Sequence, residues 1–182
     1  VFSGHKLYGP SGVGVLYMKD KWFDKFDPYQ GGGSMIDKVE IDNTTFAKGF
    51  QKFEAGTPPI AEVIGLGTSI DFINSLDLDK VSKYENELHN YAIEELKSID
   101  DISIYGKSIN KGAIISFNLS DIHANDLAII LDQNNVAIRT GHHCAQPLMN
   151  YLNITSSARA SFGVYNNKND IDIFINSLIK AK

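Results

Sequence analysis

Near residue 76 the pattern of this sequence changes, and with it the kind of structure the chain can form. Beyond that point the residues alternate between helical and extended periodicity. Val81, Tyr84, Leu88, Tyr91 and Leu96 form an apolar stripe that predicts a helix over 79–98. The stretches 102–106 and 112–119 read as strands, 124–135 as a helix with polar ends, and 136–141 as a strand running into a loop. Alternation over 157–165 predicts another strand, and 167–180 an amphipathic closing helix with an asparagine near its N-cap. Such a series specifies a small α+β domain over residues 77–182. Residues 1–76 differ: a strand over 13–18, a loop over 30–35, a short strand over 36–41 and a turn over 54–59 leave little regular structure. One helix is expected there, with Pro59 in its first turn and Ile60, Val63, Ile64, Gly67, Ile70 and Ile73 on one face. Its two glycines cost about 1 kcal/mol each against alanine, so close packing is expected to compensate. Residues 1–76 read as part of a larger domain.

The chain of 182 residues is 43% hydrophobic and 21% charged, which suffices for one or two compact cores. A net charge of −5 argues against a nucleic-acid partner. No apolar run approaches the roughly 18–20 residues that span a bilayer, and no signal peptide opens the chain. The Asn-X-Ser/Thr triplets at Asn43, Asn118 and Asn153 therefore read as chance. A single cysteine excludes an internal disulfide framework and suits a reducing compartment such as the cytoplasm. Val1 leads straight into a dense motif, so the chain is expected to be a fragment of something longer.

That motif is "FSGHKLYGPSGVGVLY", residues 2–17. A lysine becomes a Schiff-base nucleophile when it is held near a carbonyl. The carbonyl belongs either to a substrate or to pyridoxal phosphate, whose phosphate needs hydroxyl, backbone N–H or imidazole donors. Ser3 and His5 flank Lys6 suitably. In an extended segment they would share one face, with Lys6 on the other. The alternative is a surface lysine before a Gly-Pro turn.

The second motif, "IRTGHHCAQPLMNYL", holds Cys144 behind Arg139, His142 and His143. Cations nearby favour a thiolate. Cys144 is either a nucleophile on a loop, or a small buried residue beside incidental histidines, or a metal ligand. The last reading suffers because contiguous ligands point in different directions and no second cluster is evident. Arg159, in "SSARASFG", either clamps a substrate carboxylate through its bidentate fork or makes an internal salt bridge. Thr57, in "AGTPP", donates to a phosphate or, more simply, caps the following helix. His89 reads as a solvated helix residue and His123 as a loop residue.

Together these segments carry a resemblance that none carries alone. "SGHKLYGPSGVGVLY" resembles the cofactor-lysine segment of class V aminotransferase-like enzymes. "RTGHHCAQPLM" resembles the catalytic-cysteine segment of group II cysteine desulfurases, the type that serves SUF iron–sulfur cluster assembly. "QGGGSMI", "FEAGTPPIAEVIGLGTSIDF" and "ARASFGVYN" resemble the same family in the same order. The resemblance covers nearly the whole chain. It implies an α/β fold, the fold type I of pyridoxal-phosphate-dependent transferases, with 1–76 the incomplete end of the large cofactor domain and 77–182 the C-terminal domain.

The resemblance also implies roles. Lys6 would hold pyridoxal 5'-phosphate through its amine and move the substrate's α-proton. Ser3 and His5 would bind the phosphate, and Gly56 with Thr57 would reach it across a homodimer interface. Arg159 would clamp the carboxylate of L-cysteine. Arg139, His142 and His143 would line the entrance around Cys144, which would take the sulfur as a persulfide and release alanine. A SUF sulfur-acceptor protein would collect it; no metal, nucleic acid or membrane is implied. The segments that complete the family's cofactor pocket precede its lysine, so this stretch alone is expected to bind the cofactor poorly, turn over little, and expose apolar surface. Three rivals stand beside this reading: a selenocysteine lyase, a class V aminotransferase with an incidental Cys144, and a non-catalytic fragment that binds partners.

Overall fold

The structure is a computed structural model, and it describes residues 1–106, 108 and 111–182. The chain separates into two compact units, Val1–Leu76 and Asp77–Lys182, each described here by itself.

The first unit opens with strand β1 (Phe2–Ser3), a single 3₁₀ turn over Gly4–Lys6, and strand β2 (Gly14–Val15), which pairs antiparallel with β1. Residues 3–6 are therefore not one extended run, and the condition under which Ser3 and His5 would share a face is not met. Gly4 bends it: its N–H donates to the Val13 carbonyl at 2.8 Å, and its own carbonyl accepts from Leu7 and Gly9 at 2.9 and 3.0 Å. A β-carbon at Gly4 would lie 2.7 Å from Val13 Cγ1, so no other residue closes this loop unstrained. A second 3₁₀ segment covers Asp20–Lys25, and a third Gly49–Phe53. Between them lies a hairpin, β3 (Ile36–Val39) with β4 (Thr44–Phe46). The β4 arm gave no separate signal, because Thr44, Thr45 and Phe46 form too short a run to show alternation.

Helix α1 (Ile60–Ser75) starts behind Pro59 with no side-chain cap, so Thr57 does not cap it. The face predicted to be buried is not. Leu66 and Ser69 are the buried residues, whereas Ile60, Val63, Ile64 and Ile70 are exposed. The helix is apolar nearly all round, so periodicity alone could not select a face; the Gly9–Pro10 turn does. The packing is tight at Gly65, whose β-carbon would come within 3.2 Å of the Pro10 ring, while Gly67 has open space.

The second unit holds α2 (Leu78–Lys97), β5 (Ile102–Tyr105), β6 (Ile114–Leu119), α3 (Ala124–Asp132), β7 (Arg139–Gly141), α4 (Gln146–Tyr151), β8 (Ser157–Ser161) and α5 (Lys168–Ala181). The four strands form one antiparallel sheet in the order β5-β6-β8-β7. Alternation decides its faces. Ile115, Phe117 and Leu119 of β6 and Ala158 and Ala160 of β8 point to one side. There they form a single core with Leu88, Ala92 and Leu96 of α2, Leu127 and Leu131 of α3, and Ile171, Phe174 and Leu178 of α5. Phe117 and Phe174 meet edge-to-face, ring centres 5.6 Å apart. Each such side chain stabilises the fold by roughly 1.5–3 kcal/mol when fully buried. His89 belongs to this buried set at 7% exposure and is not solvated as expected, because it lies on the α2 face beside Leu88.

Side-chain caps fix the helices around the core: Asp77 accepts from the Lys80 N–H at the start of α2. Asn167 accepts from the Asn169 and Asp170 amides while Asp170 accepts from the Asn167 N–H, a complete capping box for α5. His123, exposed as expected, caps α3 by accepting from the Asn125 N–H. The opposite face of the sheet carries Tyr105, Ile114, Ser116, Asn118, Ser157 and Arg159, and it is on this polar face that the chemistry gathers.

Candidate active site

Strand β7 ends at the second motif, and strand pairing places its arginine. Arg139 stands directly opposite Arg159, Thr140 opposite Ala158, and Gly141 opposite Ser157. Residues so paired have β-carbons about 5 Å apart, and like charges in that position destabilise a sheet. No carboxylate relieves them: among the described residues neither arginine makes an ion pair, which removes the internal salt bridge considered for Arg159. Arg159 Nε is buried with no hydrogen-bond partner among the described residues. A buried guanidinium N–H left unpaired costs roughly 1–3 kcal/mol or more.

Arg159 lines a cleft of about 370 Å³ within this unit. Its polar lining adds Ser116, Tyr105, Ser157 and His143; its apolar lining comes from Ile114, Leu148, Met149 and Leu152. Tyr105 and Ser116 were not singled out in the sequence. They sit on plain strands, and only the cross-strand pairs Tyr105↔Ser116 and Ser116↔Arg159 bring them to the arginine.

Beyond Gly141 (φ 110°) the backbone makes a tight turn with His143 (φ 53°) and Cys144 (φ 59°) both left-handed. For non-glycine residues this conformation costs about 1–2 kcal/mol each. The Ala145 N–H donates to the His142 carbonyl at 2.8 Å, and Gln146-Pro147 then opens α4. The turn carries Cys144 to the surface: the thiol is free and exposed, not small buried filler. Arg139 Nη2 lies 3.6 Å from Cys144 Sγ. His142 is exposed. His143 is half-buried, with Nε2 2.9 Å from the Ser157 carbonyl and 3.0 Å from its hydroxyl. Burial holds the His143 pKa below its ordinary value, and the charges of Arg159 and Arg139 push the same way, against the Ser157 carbonyl bond. His143 is thus neutral at pH 7. Among the described residues no group of three or more His, Cys, Asp or Glu side chains could hold a metal ion.

The first motif lies in the other unit. Lys6 and His5 are exposed on the 3₁₀ turn, and Ser3 is half-buried just ahead of it. Gly56 takes φ 82° with open space around it, its N–H donating to the Gly33 carbonyl at 2.9 Å. Thr57 is exposed beside it. No hydrogen bond among the described residues joins Gly56 or Thr57 to Ser3, His5 or Lys6.

Comparison with known proteins shows what these segments share. The family described as aminotransferase class-V matches residues 1–174 of the 182. The chain belongs to that family. A probable cysteine desulfurase of Halalkalibacterium halodurans is 46% identical over 181 residues, all of this chain and 44% of the relative. A cysteine desulfurase of Wigglesworthia glossinidia brevipalpis is 49% identical over 183 residues, again 44% of its length. The crystal structure of the cysteine desulfurase CsdA from Escherichia coli is similar over 99% of this chain and 45% of that one, at a TM-score of 0.93 and 35% identity. The class V fold is thereby established, and the chain spans under half the length of the curated relatives it matches. No described helix is long and apolar enough to cross a membrane.

Proposed function

We propose that the class V protein carrying this chain is a cysteine desulfurase that works with pyridoxal phosphate. The observation that carries this reading is the exposed Cys144 thiol 3.6 Å from Arg139, one cross-strand pair from an Arg159 that has no anionic partner among the described residues. The names of relatives 46–49% identical over the whole chain support the same chemistry.

Arg159 takes the carboxylate of L-cysteine through two parallel hydrogen bonds. This fixes the substrate's sulfur toward the exposed thiol. Cys144 attacks as thiolate, which the Arg139 guanidinium favours by charge. A sulfur–sulfur bond forms, the substrate's carbon–sulfur bond breaks, and its electron pair stays with the carbon skeleton. That skeleton takes up a proton and leaves as alanine, while Cys144 keeps the sulfur as a persulfide. His142 borders the approach to the thiol.

The donor set of the first unit suits pyridoxal phosphate: an exposed amine on Lys6, a hydroxyl and an imidazole on Ser3 and His5, and the open backbone of Gly56 beside the exposed hydroxyl of Thr57. Ser3 and His5 would hold the phosphate, and Gly56 and Thr57 would serve the phosphate of a homodimer partner. When bound, the cofactor supplies the electron sink for the substrate's α-carbon. Lys6 would hold it, and the Lys6 amine would move the proton at that carbon. An exposed persulfide in the cytoplasm is then open to a sulfur-acceptor protein of the SUF type.

The test is alanine formation from L-cysteine in the presence of pyridoxal phosphate. Lys6→Ala should lower it at least about a hundredfold, the lower range of lost acid–base catalysis. Cys144→Ala should abolish it with L-cysteine in the absence of an added thiol. Alanine formation unaffected by Cys144→Ala would overturn the reading and leave a class V enzyme with an incidental cysteine.

A further inference from the structure

The turn that presents Cys144 is strained at two successive residues and needs something to hold it. Among the described residues nothing in the backbone suffices: past Gly141 the pairing of β7 with β8 ends, and the one backbone bond that closes the turn internally runs from the Ala145 N–H to the His142 carbonyl. Asn, Asp and His are the residues that best tolerate a positive φ, so His143 is compatible with its backbone, but compatibility does not fix one conformation. What fixes it is the side chain. His143 folds back on Ser157, the residue that faces Gly141 across the strands, and Ser157 is 1% exposed in the middle of the fold. Two residues further along the same strand stands Arg159. One side-chain bond therefore ties the thiol-bearing turn to the strand that carries the anion-binding arginine.

A carbonyl only accepts, so the 2.9 Å contact is a hydrogen bond when the proton sits on Nε2, the tautomer assigned here; the Ser157 hydroxyl, 3.0 Å from the same nitrogen, would instead donate to the other tautomer. Nδ1 is then a bare lone pair, buried and without a partner among the described residues.

We propose that His143 is a positioning residue for the desulfurase reaction read above: its Nε2–H bond to the Ser157 carbonyl locks the left-handed Cys144 turn onto β8 and holds the thiol beside Arg139. His143 touches neither the substrate nor the sulfur in this role; it sets the register between the nucleophile and the substrate-binding arginine. The inference rests on the proposed function only for the word reaction, since the lock itself is a property of the fold.

Glutamine and asparagine separate the lock from mere backbone tolerance. A glutamine side-chain amide reaches as far as imidazole Nε2, whereas an asparagine amide reaches only as far as Nδ1, yet asparagine tolerates a positive φ better. Because Cys144 is the chain's single cysteine, its environment can be read without any turnover. The measurement is the ratio of alkylation rates by iodoacetate, an anion, and iodoacetamide, its neutral analogue, in the full chain. A thiol held beside Arg139 favours the anion. His143→Asn should lower the ratio by about fivefold, the factor an exposed ion pair supplies, while His143→Gln stays within about twofold of the parent. A ratio kept by His143→Asn, or lost equally in both variants, overturns the lock. Should either variant fail to fold, nitrogen-15 NMR of the parent decides: a neutral imidazole with its proton on Nε2 is expected, and a proton on Nδ1 refutes the bond. Failure of alanine formation with the Gln/Asn contrast intact would count against the proposed function and not against the lock.

Discussion

At the scale of single residues the arginine pair is the decisive feature. Arg139 and Arg159 face each other across β7 and β8 with no carboxylate between them among the described residues. In a sheet built for stability that arrangement is a fault; under the proposed function it is what receives a carboxylate beside a thiolate. Arg159→Lys keeps the charge and loses the fork, so KM for L-cysteine should rise about tenfold or more, in line with one lost charge-assisted bond. Steady-state kinetics check it, and an unchanged KM would show that the carboxylate binds elsewhere. The residue types were legible in the sequence, because a cysteine behind arginine and two histidines is chemically pointed. Their environment was not. Whether Cys144 was buried or exposed, and whether Arg159 was paired, depended on contacts with β8 that no local pattern encodes. Thr57 shows the same limit: a hydroxyl near a helix start looks like a cap, but Pro59 takes the capping position.

At the scale of elements, the regular half of the chain was the readable half. The stripe over 79–98 becomes α2 over Leu78–Lys97, and the strand and helix signals after it all find their elements within a few residues. These segments pack one apolar face on one core, so pattern and burial coincide. Phe117→Ala should therefore destabilise the second unit by about 3–5 kcal/mol. Loss of the α5 capping box in Asn167→Ala should cost about 1 kcal/mol, since one side-chain acceptor serves two amides there. Urea melts measure both, and an Asn167→Ala variant as stable as the parent would remove the cap from the account of α5. Where the signals failed, physics explains the failure. Helix α1 is apolar almost all round, and its exposed Ile60, Val63 and Ile64 could not be told from its buried Leu66 by period. Helix α4 is six residues long, too short to show one.

At the scale of the whole molecule, pH couples to folding through two histidines. His89 is held below its ordinary pKa of 6.5 by burial and secondarily by the charge of Lys111, and His143 is lowered chiefly by burial. Both are neutral when folded, while in the unfolded chain they take up protons below about 6.5. The unfolded state then binds more protons, so stability is full above pH 6.5 and falls as the pH drops below it. Melting temperature should decline between pH 6.5 and the carboxylate range, and His89→Met should flatten the decline. A flat profile in the parent would contradict the neutral burial of these rings. The chain covers only 44% of its curated relatives.

The measurement that bears most directly on the proposed activity is mass mapping of Cys144 after incubation of the protein with L-cysteine and pyridoxal phosphate. The expected result is one additional sulfur atom on the peptide that contains Cys144, released by reductant and absent when Lys6 is replaced by alanine. A Cys144 peptide that remains unmodified while alanine accumulates would contradict the assignment of this thiol as the sulfur acceptor, and with it the desulfurase function.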